Sequence, residues 1–126
     1  MTHKLWSGLA FAVVLLAVPG PLFGHHSDAH FDKGKVITLH GTVTEFKFVN
    51  PHPHVYFQVK DEKGNLVDWI AETGAPPARM YNAGWKANVL KPGDEVTVTG
   101  NPDKEGRKLL RVLKIVSASG QEWDEQ

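Results

Sequence analysis

Residues 36–60 read VITLHGTVTEFKFVNPHPHVYFQVK, and this stretch decides the architecture. Val36 to Val49 is a long β-prone run with Gly41 inside it, and an interior glycine in a strand marks a bulge or a tight bend. Asn50-Pro51-His52-Pro53 then forces a turn, because proline lacks the backbone donor that a central ladder needs. His54 to Lys60 alternates cleanly, with Val55, Phe57 and Val59 on one face and His54, Tyr56 and Gln58 on the other. Alternation of period two identifies a half-buried strand. A long bent strand, a proline turn and a second strand are the opening of a small antiparallel barrel.

The rest of the chain extends this pattern. Asp61-Glu62-Lys63-Gly64-Asn65 is a hairpin turn, and Leu66 to Glu72 is the returning strand, carrying Trp69. Pro77 suits the first turn of a helix, Ala78 to Ala83 continue it, and Gly84 suits the left-handed position that ends it. Trp85 and Leu90 are expected to pack beneath this short helix. Lys91-Pro92-Gly93-Asp94 is a turn, Glu95 to Gly100 a strand, Asn101 to Arg107 a polar turn, and Leu109 to Ser117 the last strand. A helix between the third and fourth of five strands matches a mainly β, five-stranded OB-like barrel over residues 36–118. The competing architecture is another small antiparallel barrel or sandwich. Residues 119–126 read as an acidic tail interrupted by Trp123.

Upstream, the chain begins with the pattern of a secretory signal: Lys4, an apolar run from Leu5 to Val18 broken only by Ser7 and Gly8, then Pro19-Gly20-Pro21. The run is short of the ~20 residues that span a bilayer. Residues 1–24 are therefore expected to be a signal peptide, with cleavage after Gly24 and a rival site after Ala29. With no cysteine in the chain, there is neither a lipoprotein anchor nor a disulfide framework or thiolate site. The expected location is periplasmic, and the mature protein is not embedded in the membrane. Removing the first 24 of 126 residues leaves 102, enough for one domain with its own core. It also removes Lys4 from 14 basic residues and nothing from 14 acidic ones, giving a net charge near −1. Nucleic-acid binding needs a basic surface to displace counterions, and the composition offers none in bulk.

His25-His26-Ser27, Val49-Asn50-Pro51-His52 with His54, Gly84-Trp85, and Leu90-Lys91-Pro92-Gly93-Asp94 through Gly100 together resemble a family of small exported bacterial proteins classed as a domain of unknown function. The resemblance runs over essentially the whole mature chain. It implies a periplasmic location and a compact β domain, and it brings no assigned activity. Leu22-Phe23-Gly24 departs from the alanine-rich cleavage site usual in such proteins.

Six of the seven histidines follow the leader: His25, His26, His30, His40, His52 and His54. Neutral imidazole is the commonest protein ligand for copper, zinc and nickel. An N-terminal His25 offers its α-amine and its ring together, a chelating pair that favours Cu(II). In OB folds the first loop belongs to the ligand surface, so Asn50, His52, His54 and Tyr56 are the candidate ligand-binding residues. Should the histidine-rich arm, residues 25–35, fold back on that loop, then His25, His26, His52 and His54 form a candidate copper set. Competing readings make the arm merely solvated, Asn50 a turn residue bonding its neighbouring backbone, His54 an outward strand residue and His40 a structural one.

Other features carry less. Tyr56, Phe57, Trp69 and Trp85 suit a small core better than a stacking platform. Asp68 and Glu72 lie too far apart along one strand for an intimate carboxylate pair, and Glu72 suits an exposed or capping role better than ligation or acid–base work. No nucleophile constellation is present, so no enzymatic activity is expected. The sequence thus points to an exported OB-like binding or accessory module, serving a metal ion or a periplasmic protein, with a copper-handling protein as the alternative.

Overall fold

The computed structural model describes residues 28–125. The expected leader, with His25 and His26, lies outside them. The strands are β1 (Ile37–Lys47), β2 (His54–Lys60), β3 (Leu66–Glu72), β4 (Glu95–Pro102), β5 (Leu109–Ser117) and β6 (Glu122–Asp124), with one helix, α1 (Pro77–Asn82). The sheet order is β3-β2-β1-β4-β5-β6, and a parallel pairing of β3 with β5 closes the first five strands into a barrel. With α1 between β3 and β4, this is the mainly β, OB-like architecture that the strand order indicated.

Alternation builds the interior. Val55, Ala71 and Leu110 are direct partners across β2, β3 and β5, and all are fully buried. Val43 and Phe57 pair across β1 and β2 and are buried with them. Gly41 sits where β1 passes over β2. A Cβ there would run into the Gln58 backbone carbonyl and the Phe57 ring, so only glycine permits the approach. The bulge itself falls between Val43 and Glu45, a few residues beyond the glycine, where the register against β2 slips by one.

Helix α1 runs from Pro77 to Asn82, and Gly84, just past its C-cap Ala83, has the φ of 90° of the left-handed conformation expected of it. Met80 and Trp85 are fully buried and Leu90 nearly so. Trp85 meets the Phe46 ring edge-on at 6.4 Å, and its Nε1 donates to the Glu122 carbonyl at 3.0 Å. That carbonyl belongs to β6, formed by residues read as an acidic tail. β6 pairs with β5 and buries Trp123, whose Nε1 donates to Glu125 Oε1 at 3.1 Å. A lone large aromatic in an acidic run is what holds this strand in place.

Two further segments differ from expectation. The fourth strand continues through Asn101, which is buried because its Nδ2 donates to the Lys35 carbonyl at 2.7 Å. The polar turn therefore begins at Asp103. The arm, from Asp28 onward, is docked: Phe31 is buried and bridged to Asp103, and Lys104 N–H donates to the His30 carbonyl at 2.8 Å. Asp103 anchors both. Its carboxylate accepts from the Glu105 and Arg107 amides and from Arg107 Nε and Nη2, the last at 2.8 Å. The hydrogen-bonded Arg107 guanidinium, opposed by burial and aided by those amides, lowers the Asp103 pKa to about 2.

Candidate ligand-binding end of the barrel

The register of β1, β2, β3 and β5 lays out the candidate site. The row beside the buried Val55, Ala71 and Leu110 must face outward, since successive side chains in a strand alternate. That outward row is Lys47, His54, Glu72 and Arg111, each the direct partner of the next across four strands. Neighbouring members are therefore about 5 Å apart in the strand-to-strand direction. His54, Glu72 and Arg111 are part-buried and Lys47 is exposed.

The two cations at the ends of the row are already engaged. Lys47 Nζ lies 5.1 Å from the centre of the Tyr56 ring, a cation–π contact. Arg111 Nη1 donates to the Thr73 carbonyl at 3.4 Å and sits 3.2 Å from Asp28 Oδ1. Gly74 allows this, because any side chain there would collide with the Arg111 guanidinium and the Glu125 carboxylate. Glu125 in turn accepts from the Gly74 amide with both oxygens, at 2.7 and 2.9 Å.

The middle of the row is different. Neither the His54 ring nitrogens nor the Glu72 carboxylate has a hydrogen-bond or ion-pair partner among the described residues. The His54 ring lies against that of Tyr56, centre to centre at 6.4 Å. His52 adds a second unsatisfied group, for its Nδ1 is buried and has no hydrogen-bond partner among the described residues. Buried polar atoms are paired in the great majority of cases, so such an atom calls for an explanation.

The loop carrying His52 is nonetheless well fixed. Pro53 is buried, and its carbonyl accepts from both the Thr73 amide (3.0 Å) and the Thr73 hydroxyl (3.1 Å). Asn50 is exposed and its side chain makes no hydrogen bond among the described residues, so it does not brace the turn as its residue type suggested.

Tyr56 joins this end to a shallow cleft of about 530 Å³ lined by Thr44, Tyr56, Asp68, Trp69, Ile70 and Lys108. Lys108 Nζ covers the half-buried Trp69 ring at 5.2 Å from its centre. A second groove, about 470 Å³, runs past Gly41 and Gln58, and Gln58 is hydrogen-bonded to Asp68 of the first cleft at 3.0 Å. Its histidine, His40, is already bonded through Nδ1 to Thr97 Oγ1 at 2.9 Å, in keeping with a structural role.

The structure thus brings His52, His54 and Tyr56 to one end, and leaves His25 and His26 outside the described residues. Among the described residues no three His, Cys, Asp or Glu side chains group to hold a metal ion. The group that sequence reasoning undervalued is Glu72. Its position opposite His54 was legible, because once Lys60 faces Leu66 across the 61–65 turn, counting back places His54 on Glu72. Arg111 and Asp28 could not be found that way, since they depend on closure of the barrel by β5.

A family of unknown function, DUF6152, matches residues 12–110. The chain belongs to that family. No curated protein matches the DUF6152 chain. Among solved structures, a chain of a TiaS complex with tRNA and ATP is similar at a TM-score of 0.44 and 22% identity, covering 69% of this chain and 19% of that one. A chain from the yeast Stn1 and Ten1 structure is similar at 0.43 and 16%, covering 66% and 42%. A tRNA fluorescent labeling enzyme is similar at 0.44 and 23%, covering 68% and 18%. The chain spans less than half of each of these. No described helix is long and apolar enough to cross a membrane.

Proposed function

We propose that this DUF6152 protein is an exported, periplasmic, non-catalytic binding or accessory module whose ligand or partner site is the Asn50–His54 end of the barrel. The observation that carries the reading is a set of polar groups there with no partner among the described residues: the buried His52 Nδ1 and the opposed side chains of His54 and Glu72. A protein gains nothing in stability from holding polar atoms part-buried and unbonded. A ligand that completes them explains why they are kept at this end of the barrel, His52 in the loop and His54 and Glu72 on the adjoining strands.

Export is tested by mass spectrometry of the protein recovered from a bacterial host, where a mature N-terminus at His25 is expected and retention of Met1 counts against it. Binding is tested by thermal shift with Cu(II), Zn(II) and a soluble oligosaccharide as probes, on the wild type and on a His54→Ala/Tyr56→Ala double variant. At least one probe is expected to raise the wild-type Tm and not that of the variant. Equal shifts in both would put the site elsewhere.

A second reading, a copper-handling protein using His25, His26, His52 and His54, is favoured by the imidazole character of the unpaired groups. Imidazole and amine donors suit Cu(II), which stands highest in the divalent affinity order.

A further inference from the structure

We infer that the open edge of β3, at Leu66 and Asp68, docks an extended peptide segment of a partner protein, which adds as an antiparallel strand and completes the barrel wall over Val67 and Trp69. The site is separate from the Asn50–His54 loop, and neither reading depends on the other.

Backbone hydrogen bonds fix which way this edge faces. Asp61 N–H donates to the Asn65 carbonyl at 2.8 Å, and Thr73 N–H donates to the Pro53 carbonyl at 3.0 Å. These two pairs bracket the β2–β3 ladder, in which bonded and non-bonded pairs alternate. Val67, Trp69 and Ala71 therefore exchange their bonds with β2, and Leu66, Asp68, Ile70 and Glu72 turn their N–H and C=O groups away from it. Ile70 conforms, since its N–H donates to the Lys108 carbonyl at 3.1 Å. β5, however, pairs only with Ile70, Ala71 and Glu72. No bond reaches the backbone of Leu66 or Asp68 from that side among the described residues. The interior is unfinished at the same place. Val67 and Trp69 share the inward face of the fully buried Ala71, yet both are only part-buried. Beside them opens the cleft of about 530 Å³, with Lys108 Nζ standing 5.2 Å from the centre of the Trp69 ring.

What the edge offers identifies the occupant. Leu66 and Asp68 present N–H and C=O groups in one direction at strand spacing, which an extended peptide matches group for group. The antiparallel orientation gives the straighter and slightly stronger bonds. Every second side chain of that strand would lie over Val67 or Trp69, so apolar residues at alternate positions fit. Charge selects further. The Asp68 carboxylate already accepts from Gln58 Nε2 at 3.0 Å, whereas Lys108 is engaged only with the Trp69 ring, so an acidic residue beside the apolar ones is favoured. A second copy of the chain fits less well. The longest self-pairing that these groups allow is antiparallel about Val67, and it sets the polar Asn65 against Trp69 and the Asp68 carboxylate against Leu66.

The experiment is NMR amide exchange on the exported protein, alone and with a synthetic peptide of roughly seven residues, within the usual strand length, that alternates valine with threonine and carries one glutamate in place of a threonine. Alone, the Leu66 and Asp68 amides are expected to exchange about tenfold faster than those of Val67 and Trp69, or more. The peptide is expected to slow both by about tenfold and to shift the Trp69 indole signal. In an antiparallel strand the threonine and glutamate amides face the edge, so methylating those nitrogens is expected to abolish the protection, and methylating the valine nitrogens to leave it. On the protein side, Asp68→Pro removes an N–H that bonds nothing in the fold and is expected to weaken the peptide by about tenfold, with Asp68→Ala close to wild type. Should Asp68→Pro fail to fold, the methylated peptides carry the same test on the unaltered protein. No protection from the unmodified peptide, or protection indifferent to which nitrogens are methylated, would overturn the inference. So would protection of Leu66 and Asp68 that rises with protein concentration without peptide, which would assign the edge to a second copy.

Discussion

Two neighbouring regions of this barrel are built on opposite principles. Around α1 and β6, Met80, Trp85 and Trp123 are buried, both indole N–H groups are hydrogen-bonded, and Arg79 stacks on Trp123 at 5.8 Å. At the Asn50–His54 end the backbone is as firmly held, through Pro53 and Thr73, yet the side chains of His52, His54 and Glu72 have polar atoms with nothing to bond among the described residues. One region has used its interactions on folding. The other retains them, and a rigid frame around unsatisfied groups is what a binding site requires.

The largest effect that would sharpen this contrast is loss of Trp85. Trp85→Ala opens a cavity under α1 and removes the bond to β6, and is expected to cost about 3–5 kcal/mol in urea unfolding. A loss below about 1 kcal/mol would show that this region is not the stabilising one. Next is Gly41→Ala, where the added methyl meets backbone, which cannot rotate away as a side chain can. It is expected to cost roughly 1–3 kcal/mol by equilibrium unfolding.

Asp103 supplies a pH test of the loop that pins the arm. Its folded pKa of about 2 lies below the ordinary 3.8. The carboxylate's contribution is therefore fully present above about pH 4 and is lost as pH falls toward about 2. Wild-type urea midpoints are expected to drop across that window, and Asp103→Asn, less stable at neutral pH, is expected to drop less. Parallel curves for the two proteins would contradict the assignment.

The smallest effect is expected in the histidine loop. His52→Leu removes an unpaired buried nitrogen and substitutes apolar volume, so stability is expected to stay within about 1 kcal/mol of wild type or to rise. A large loss would mean that His52 belongs to the stabilising machinery.

How far these regions were legible in the sequence follows from range. The strand pairs joined by tight turns could be read directly: alternation in His54–Lys60 and the 61–65 turn fix β2, β3 and their register, and Pro77 with Gly84 delimits α1. Closure could not be read. β6 depends on Trp123 finding a pocket formed by distant residues, and the docking of Phe31 on Asp103 joins segments far apart in the chain. The same limit hid half of the site. His52, His54 and Tyr56 were visible as a histidine loop leading into a strand. Arg111 and Asp28 reach them only through the parallel β3–β5 pairing, which no local pattern announces.

The most direct test of the central claim, that the Asn50–His54 end is the ligand end, is amide NMR of the exported protein with substoichiometric Cu(II). Paramagnetic broadening is expected to centre on residues 52–56 and 72–74 and to spare the 61–65 turn and the His40 groove. Broadening centred on His30 or His40, or spread evenly along the chain, would contradict it.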